Sequence, residues 1–275
     1  MIRKPVVSGK FYADDRADLR SQIENCFLHP AGPGRLPEGV VESVDRLGLI
    51  VPHAGYMASG PVAAWGYYEA ARRIDSSTVI LIGPNHTGLG GDVSIWLEDP
   101  WETPFGRVEI DSELGDRLRD SSGRLIEEDK SAHLYEHSIE VQLPFVQYVF
   151  PGSKIVPLVM TDQRLETALA LGEIIGKCTL GSSGVLILAS SDLNHYESHT
   201  ETMEKDIELT EYLVSGDYEE AYRISKERRI TACGLGPMVC VRSIFKDMEI
   251  LKNTTSGEII GDRYRTVGYL AAFMK

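Results

Sequence analysis

The sequence is short of cysteine, and the few it has are poorly placed for crosslinks. Cys26, Cys178, Cys233 and Cys240 form no CxxC pair and no framework of the small disulfide-rich kind. Basic charge is short as well: 28 Lys and Arg stand against 41 Asp and Glu, a net charge of −13. Binding nucleic acid or an anionic membrane needs a basic surface, so neither is expected as the main role. No apolar run approaches the roughly 20 residues of a membrane-crossing helix. The opening stretch, MIRKPVVSGKFYADD, has no long apolar segment and turns acidic at once, unlike a secretory signal. A cytoplasmic protein with reduced thiols is expected. The glycines spell neither GxGxxG nor GxxxxGK[ST], so nucleotide-binding loops of those kinds are not expected. No linker, internal repeat or low-complexity tract divides the chain, and residues 1–275 are read as one domain.

What is present is a set of apolar runs that break into turns carrying titratable groups. Thr78–Ile82 runs into Gly83 and Pro84 and then into His86. Leu47–Val51 runs into His53, and Val185–Ala189 runs into Asp192 and His195. Short apolar runs bounded by turn residues read as strands buried on both faces. Open α/β sheets place ligands outside the carboxyl ends of such strands. Further strands are expected at 92–97, 154–160, 249–253 and 265–273. Helical spacing appears over 15–27, 59–73, 112–120, 165–178, 201–214, 218–228 and 234–245. Residues 131–150 suit one helix face, with a kink or restart at Pro144. This alternation predicts an α/β fold with a central, mostly parallel sheet flanked by helices on both faces.

Imidazole and thiolate are good ligands for iron, copper or zinc. His53 and His86 leave different strands and can converge on one ion. The third ligand is open between Cys233, next to Gly234 in a tight turn, and Asp192. Cys26, Cys178 and Cys240 read as apolar core residues. His29, His133 and His199 read as solvated. Asp192 and His195 share a face if their turn is helical, where the carboxylate orients the imidazole for general-base work; the plainer role for Asp192 is a helix cap.

The pieces RKPVVSGKFYADD, VPHAGYMASG, LIGPNHTG, WETPFG, EHSIEVQLPF, SSDLNHY and ACGLGP follow one another between residues 3 and 237. Together they resemble the Memo family, whose bacterial and archaeal members are called AmmeMemoRadiSam system protein B. That family is similar in fold to class III extradiol dioxygenases, non-haem iron enzymes that open catechol rings. The resemblance implies that His53, His86 and Cys233 are metal ligands, with Asp192 and His195 as catalytic groups in the same cleft and His137 a further pocket residue. It implies iron or copper, with zinc as a third choice. Cys233 stands where the dioxygenases use a carboxylate, and a thiolate is softer and more easily oxidised. The family name implies a functional link to radical SAM and AMMECR1-type proteins. Family members in animals are described as adaptors in cell-motility signalling.

Two functional readings follow. One is a metal-dependent, dioxygenase-like oxidoreductase acting on a small molecule. The other is a non-catalytic module that holds a peptide or a metal in the same cleft. The four groups His53, His86, Asp192 and His195 favour the first, being more titratable groups than a peptide pocket needs.

Overall fold

A computed structural model describes residues 2–275. The first half of the chain forms α1 (Arg16–Leu28), β1 (Arg46–Val51), α2 (Tyr56–Arg73), β2 (Thr78–Pro84), β3 (Val93–Ile95), the hairpin β4 (Trp101–Thr103) and β5 (Gly106–Val108), α3 (Ser112–Ser121) and β6 (Ile126–Glu128). The second half forms α4 (Ser131–Leu134), α5 (Leu143–Val149), β7 (Lys154–Met160), α6 (Leu165–Cys178), β8 (Val185–Ser190), β9 (His195–Glu197), α7 (His199–Ser215), α8 (Tyr218–Glu227), α9 (Leu235–Ile244), β10 (Met248–Thr255), α10 (Ser256–Ile260) and β11 (Thr266–Met274).

The main sheet runs β10-β11-β1-β8-β2-β7-β3-β6, with β9 paired to β11. Its centre, β1, β8, β2 and β7, is parallel. β11 joins β1, and β3 joins β7, antiparallel. The four central strands are buried almost end to end, as the unbroken apolar runs require. Alternation along them feeds two cores. Leu49, Val51, Val79 and Leu81 pack with residues of α1, α2 and α5 on one face. Ile50, Ile80, Ile82 and Ile187 pack with residues of α3, α6 and α9 on the other. The α/β architecture expected from the alternation is the one observed. No helix of the described residues is long and apolar enough to cross a membrane.

Register decides where the site falls. Val51 of β1 pairs with Ser190 of β8, and Ile82 of β2 pairs with Ala189 of β8. β1 and β2 therefore release their chains at one level, on either side of β8.

Local departures from the expected elements have physical causes. Helix α2 starts at Tyr56, three residues ahead of Ser59, because the turn after His53 leads straight into it; Tyr56 N–H donates to Phe11 O at 2.7 Å. Pro61 thus lies inside α2, and the carbonyl it leaves without its helix partner belongs to Met57, an exposed residue. The single kinked helix expected over 131–150 is instead α4, a loop, a 3-10 turn and α5. Pro144 sits in the first turn of α5, where its missing N–H costs nothing. The loop between is pulled onto the end of β2. Ser138 Oγ donates to Pro84 O at 3.0 Å, and any side chain at Gly83 would strike Ser138 Oγ.

Candidate metal centre

His53 follows β1 and is 2% exposed. Its Nδ1 lies 2.9 Å from Ser190 Oγ. Ser190 Oγ donates to Ser138 O at 2.7 Å, and Gln142 Nε2 donates to Ser190 Oγ at 2.8 Å. A hydroxyl has one proton, and this one is given to Ser138 O. Ser190 therefore accepts from His53 Nδ1–H, which leaves the lone pair of the ring on Nε2. Burial, then the charges of His137 and His86, holds the His53 imidazole well below its ordinary range, so it stays neutral.

His86 follows β2 on a turn closed by Asn85, whose Oδ1 accepts from Thr87 N–H at 2.9 Å and Gly88 N–H at 3.0 Å. Glu136 holds it twice: Oε2 accepts from His86 N–H at 2.5 Å and Oε1 faces Nδ1 at 2.9 Å. Burial works to raise the Glu136 carboxyl, but the hydrogen bonds and charge of His86 and the Ser138 N–H outweigh it, holding the group at about 2. An ionised carboxylate only accepts, so His86 also carries its proton on Nδ1 and presents Nε2. Glu136 Oε1 further accepts from the N–H groups of His137 at 2.9 Å and Ser138 at 2.8 Å.

The His86 and His137 rings stack at 4.6 Å, and His53 meets His86 at 5.3 Å and His137 at 5.5 Å, nearly edge-on to both. One ligand nitrogen from each of the three lies within 4.8 Å of the others. Three imidazoles, two with their Nδ1 protons committed elsewhere, are a donor set that fits a transition-metal ion.

Cys233 adjoins this group. Its Sγ is 3.3 Å from His53 Nε2 and accepts from Asp192 N–H at 3.3 Å. Gly234 makes the approach possible: a Cβ there would fall 2.7 Å from Ser191 Cβ and 3.0 Å from Ser190 O. Burial, then the nearby Asp192 charge, pushes the Cys233 thiol up. Asp192 is 5% exposed, and Oδ1 accepts from the N–H groups of His53 at 2.8 Å and Ala54 at 3.3 Å. Burial raises its carboxyl too.

His195 reaches the same neighbourhood by a different route from the one expected. The Asp192–His195 turn is not helical: His195 opens β9, within electrostatic reach of both Asp192 and His53. Thr231 Oγ1 accepts from His195 N–H at 2.8 Å, and Thr231 O accepts from Nδ1 at 3.0 Å, so this imidazole also keeps Nε2 free. Tyr196, at φ 66°, is an extra residue in the β9 pairing with β11, and this bulge turns His195 toward Thr231. Asp192 is not a helix cap.

His53, His86, His137, Asp192, His195 and Cys233 thus lie in one neighbourhood. All three histidines expected to be solvated depart from that expectation: His29 is half-buried, its Nδ1 accepting from Ala31 N–H at 3.0 Å. His133 is fully buried between Trp96 and Trp101, and His199 is half-buried with Nδ1 2.8 Å from Thr255 Oγ1. Cys26 and Cys240 are buried as expected, whereas Cys178 is half-buried at the end of α6. Sequence reasoning missed Glu136, Ser190 and Gln142. Glu136 had a signal, a carboxylate immediately before His137, but the polar partners of His53 carry none: Ser190 ends the apolar strand β8, and Gln142 ends the 3-10 turn before α5.

A family model described as Memo-like protein matches residues 3–273. A MEMO1 family protein from Sulfurisphaera tokodaii is 46% identical over 281 residues, covering 98% of each chain. One from Thermotoga neapolitana is 46% identical over 277 residues, covering 100% of each. The crystal structure of uncharacterized protein JW3007 from Escherichia coli K12 shares the fold, with a TM-score of 0.51 at 13% identity over 83% of this chain and 99% of that one.

Proposed function

We propose, on the premise that this chain belongs to the Memo-like protein family, that it is a redox-active metal protein acting on a small molecule. The observation that carries this is the proton placement. His53 and His86 have Nδ1–H committed to Ser190 and Glu136, so their Nε2 lone pairs serve an ion. His137 supplies the third imidazole, and Cys233, in contact with His53, is the competing third ligand. The proposed ion is iron or copper, with zinc as the alternative.

Such an ion would supply Lewis acidity or one-electron chemistry at the open end of the site. The protein's own groups do the rest. Glu136 and Ser190 keep the imidazoles oriented, with Nδ1 committed and Nε2 presented. Asp192, raised by burial, is a carboxyl that takes a proton above the ordinary carboxylate range, and His195 commits Nδ1 to Thr231 O and presents Nε2. This is the work expected of an oxidoreductase resembling the extradiol dioxygenases.

The test is elemental analysis of anaerobically prepared protein, wild type beside His53→Ala, His86→Ala, His137→Ala and Cys233→Ser. About one ion per chain is expected in the wild type, with loss in His53→Ala and His86→Ala. The third variant that loses metal names the third ligand. Equal content in all five proteins overturns the reading. Metal without oxygen consumption on catechols or thiols leaves a binding module.

A further inference from the structure

Arg3 is 1% exposed, although it lies near the start of a polar segment. Its guanidinium rests on Trp101 at 4.3 Å. Nε and Nη2 donate to His133 O at 3.2 and 3.1 Å, and Nη2 also donates to Glu136 O at 2.6 Å. Nη1 donates to Lys4 O at 3.3 Å and pairs with the Glu140 carboxylate. Glu140 is itself fully buried, and it accepts from Val6 N–H, from Val7 N–H at 2.9 Å and from Tyr12 Oη at 2.8 Å. Two buried charges therefore stitch the amino-terminal segment to the loop between α4 and α5. That loop's own carboxylate, Glu136, grips His86 from the other side.

We propose that Arg3, paired with Glu140, is a positioning residue for the metal centre. It fixes the backbone at Glu136, Glu136 fixes His86, and the amino-terminal segment thereby sets where His86 Nε2 is held. This rests on the metal reading above for its consequence but not for its geometry. The guanidinium is matched to the task because its fork reaches three carbonyls and a carboxylate at once. An ammonium is a point charge with three donors and cannot hold all of these positions together. A buried pair is a poor source of net stability, so its placement here is accounted for better by what it orients.

The test uses the full chain with Arg3→Lys and, because that variant can fail to fold, the isosteric Glu140→Gln. Leu118→Ala, in the core on the opposite face of the sheet, is the control for general destabilisation. The first readout needs no metal: the His86 Nδ1–H proton resonance, shifted downfield by the Glu136 carboxylate. It is expected to move upfield or vanish in both variants and to stay in Leu118→Ala. The second is cobalt(II) titration, where the visible spectrum reports ligand geometry. Affinity is expected to fall by about 10-fold or more with an altered spectrum, the usual size of an outer-sphere effect. An unmoved His86 resonance overturns the proposal. So does a cobalt loss no larger than that of Leu118→Ala. If the wild type takes no cobalt, the metal reading fails, and the resonance alone decides the role of Arg3.

Discussion

Glu136 Oε1 lies 2.9 Å from His86 Nδ1, and the same oxygen accepts from the backbone N–H groups of His137 and Ser138. One carboxylate thus orients one imidazole and fixes the peptide that carries the next. Glu136→Gln keeps the shape but puts an NH2 group against N–H donors on one side. Metal affinity is expected to fall about 10- to 100-fold, measured by titration with cobalt(II). An unchanged affinity would remove the orienting role.

Glu136 also sets an acid limit on the fold. Its folded value of about 2 is below the ordinary 4.5, so its contribution is present above pH 4.5 and lost as pH falls toward 2. Urea midpoints of the metal-free protein should drop through that window. The Glu136→Gln variant should drop less steeply.

His133 acts over a higher window. Burial, then the charge of Arg3, lowers its imidazole from 6.5 to about 3. The unfolded chain binds this proton first, so the stability tied to a neutral His133 is complete above pH 6.5 and lost as pH falls toward 3. Its Nδ1 has no partner among the described residues. His133→Phe is therefore expected to flatten the loss of stability between pH 6.5 and 5, followed by chemical denaturation. A loss as steep as that of the wild type would contradict this.

Asp192→Asn retains an oxygen to accept from His53 N–H and Ala54 N–H. The melting temperature should change little, and the carboxyl limb of the pH–rate profile should disappear. Burial raises the group, so that limb should lie above the ordinary carboxylate range in the wild type. An identical profile in the variant would argue against Asp192 as the base.

Gly234→Ala places a methyl group 2.7 Å from Ser191 Cβ and 3.0 Å from Ser190 O. The expected cost is about 1–3 kcal/mol in denaturant unfolding, as for overpacking generally. The turn should also carry Cys233 away from His53, read as faster reaction of the thiol with an alkylating probe. A thiol no more reactive than in the wild type would show that the turn absorbs the methyl group elsewhere.

The sheet was legible because apolar runs such as Val185–Ala189 are short, carry β-branched residues and are bounded by turn residues, which together favour a strand over a buried helix. The same logic placed His53 and His86 at a shared edge, since each follows such a run. What could not be read was contact made across the chain. His133 looks solvated among Ser131 and Tyr135, and only the fold brings Trp96 and Trp101 around it. The Asp192–His195 spacing suggested a helical face, yet pairing of β9 with β11 made it extended. Local spacing carries no information about which strand will claim a segment.

The position of β8 has a bearing on how this protein is made. It lies between β1 and β2, but it begins at Val185, long after both. A chain emerging from the ribosome therefore presents β1 and β2 with no strand to fill the gap between them. Each would expose an unpaired apolar edge, the condition under which nascent chains associate wrongly. The same delay postpones the pocket, since Ser190, Asp192 and Cys233 all arrive with β8 or after it. The hydrogen-bond support of His53 is thus completed late in synthesis, since a chain that stops before β8 carries His53, His86 and His137 but lacks Ser190.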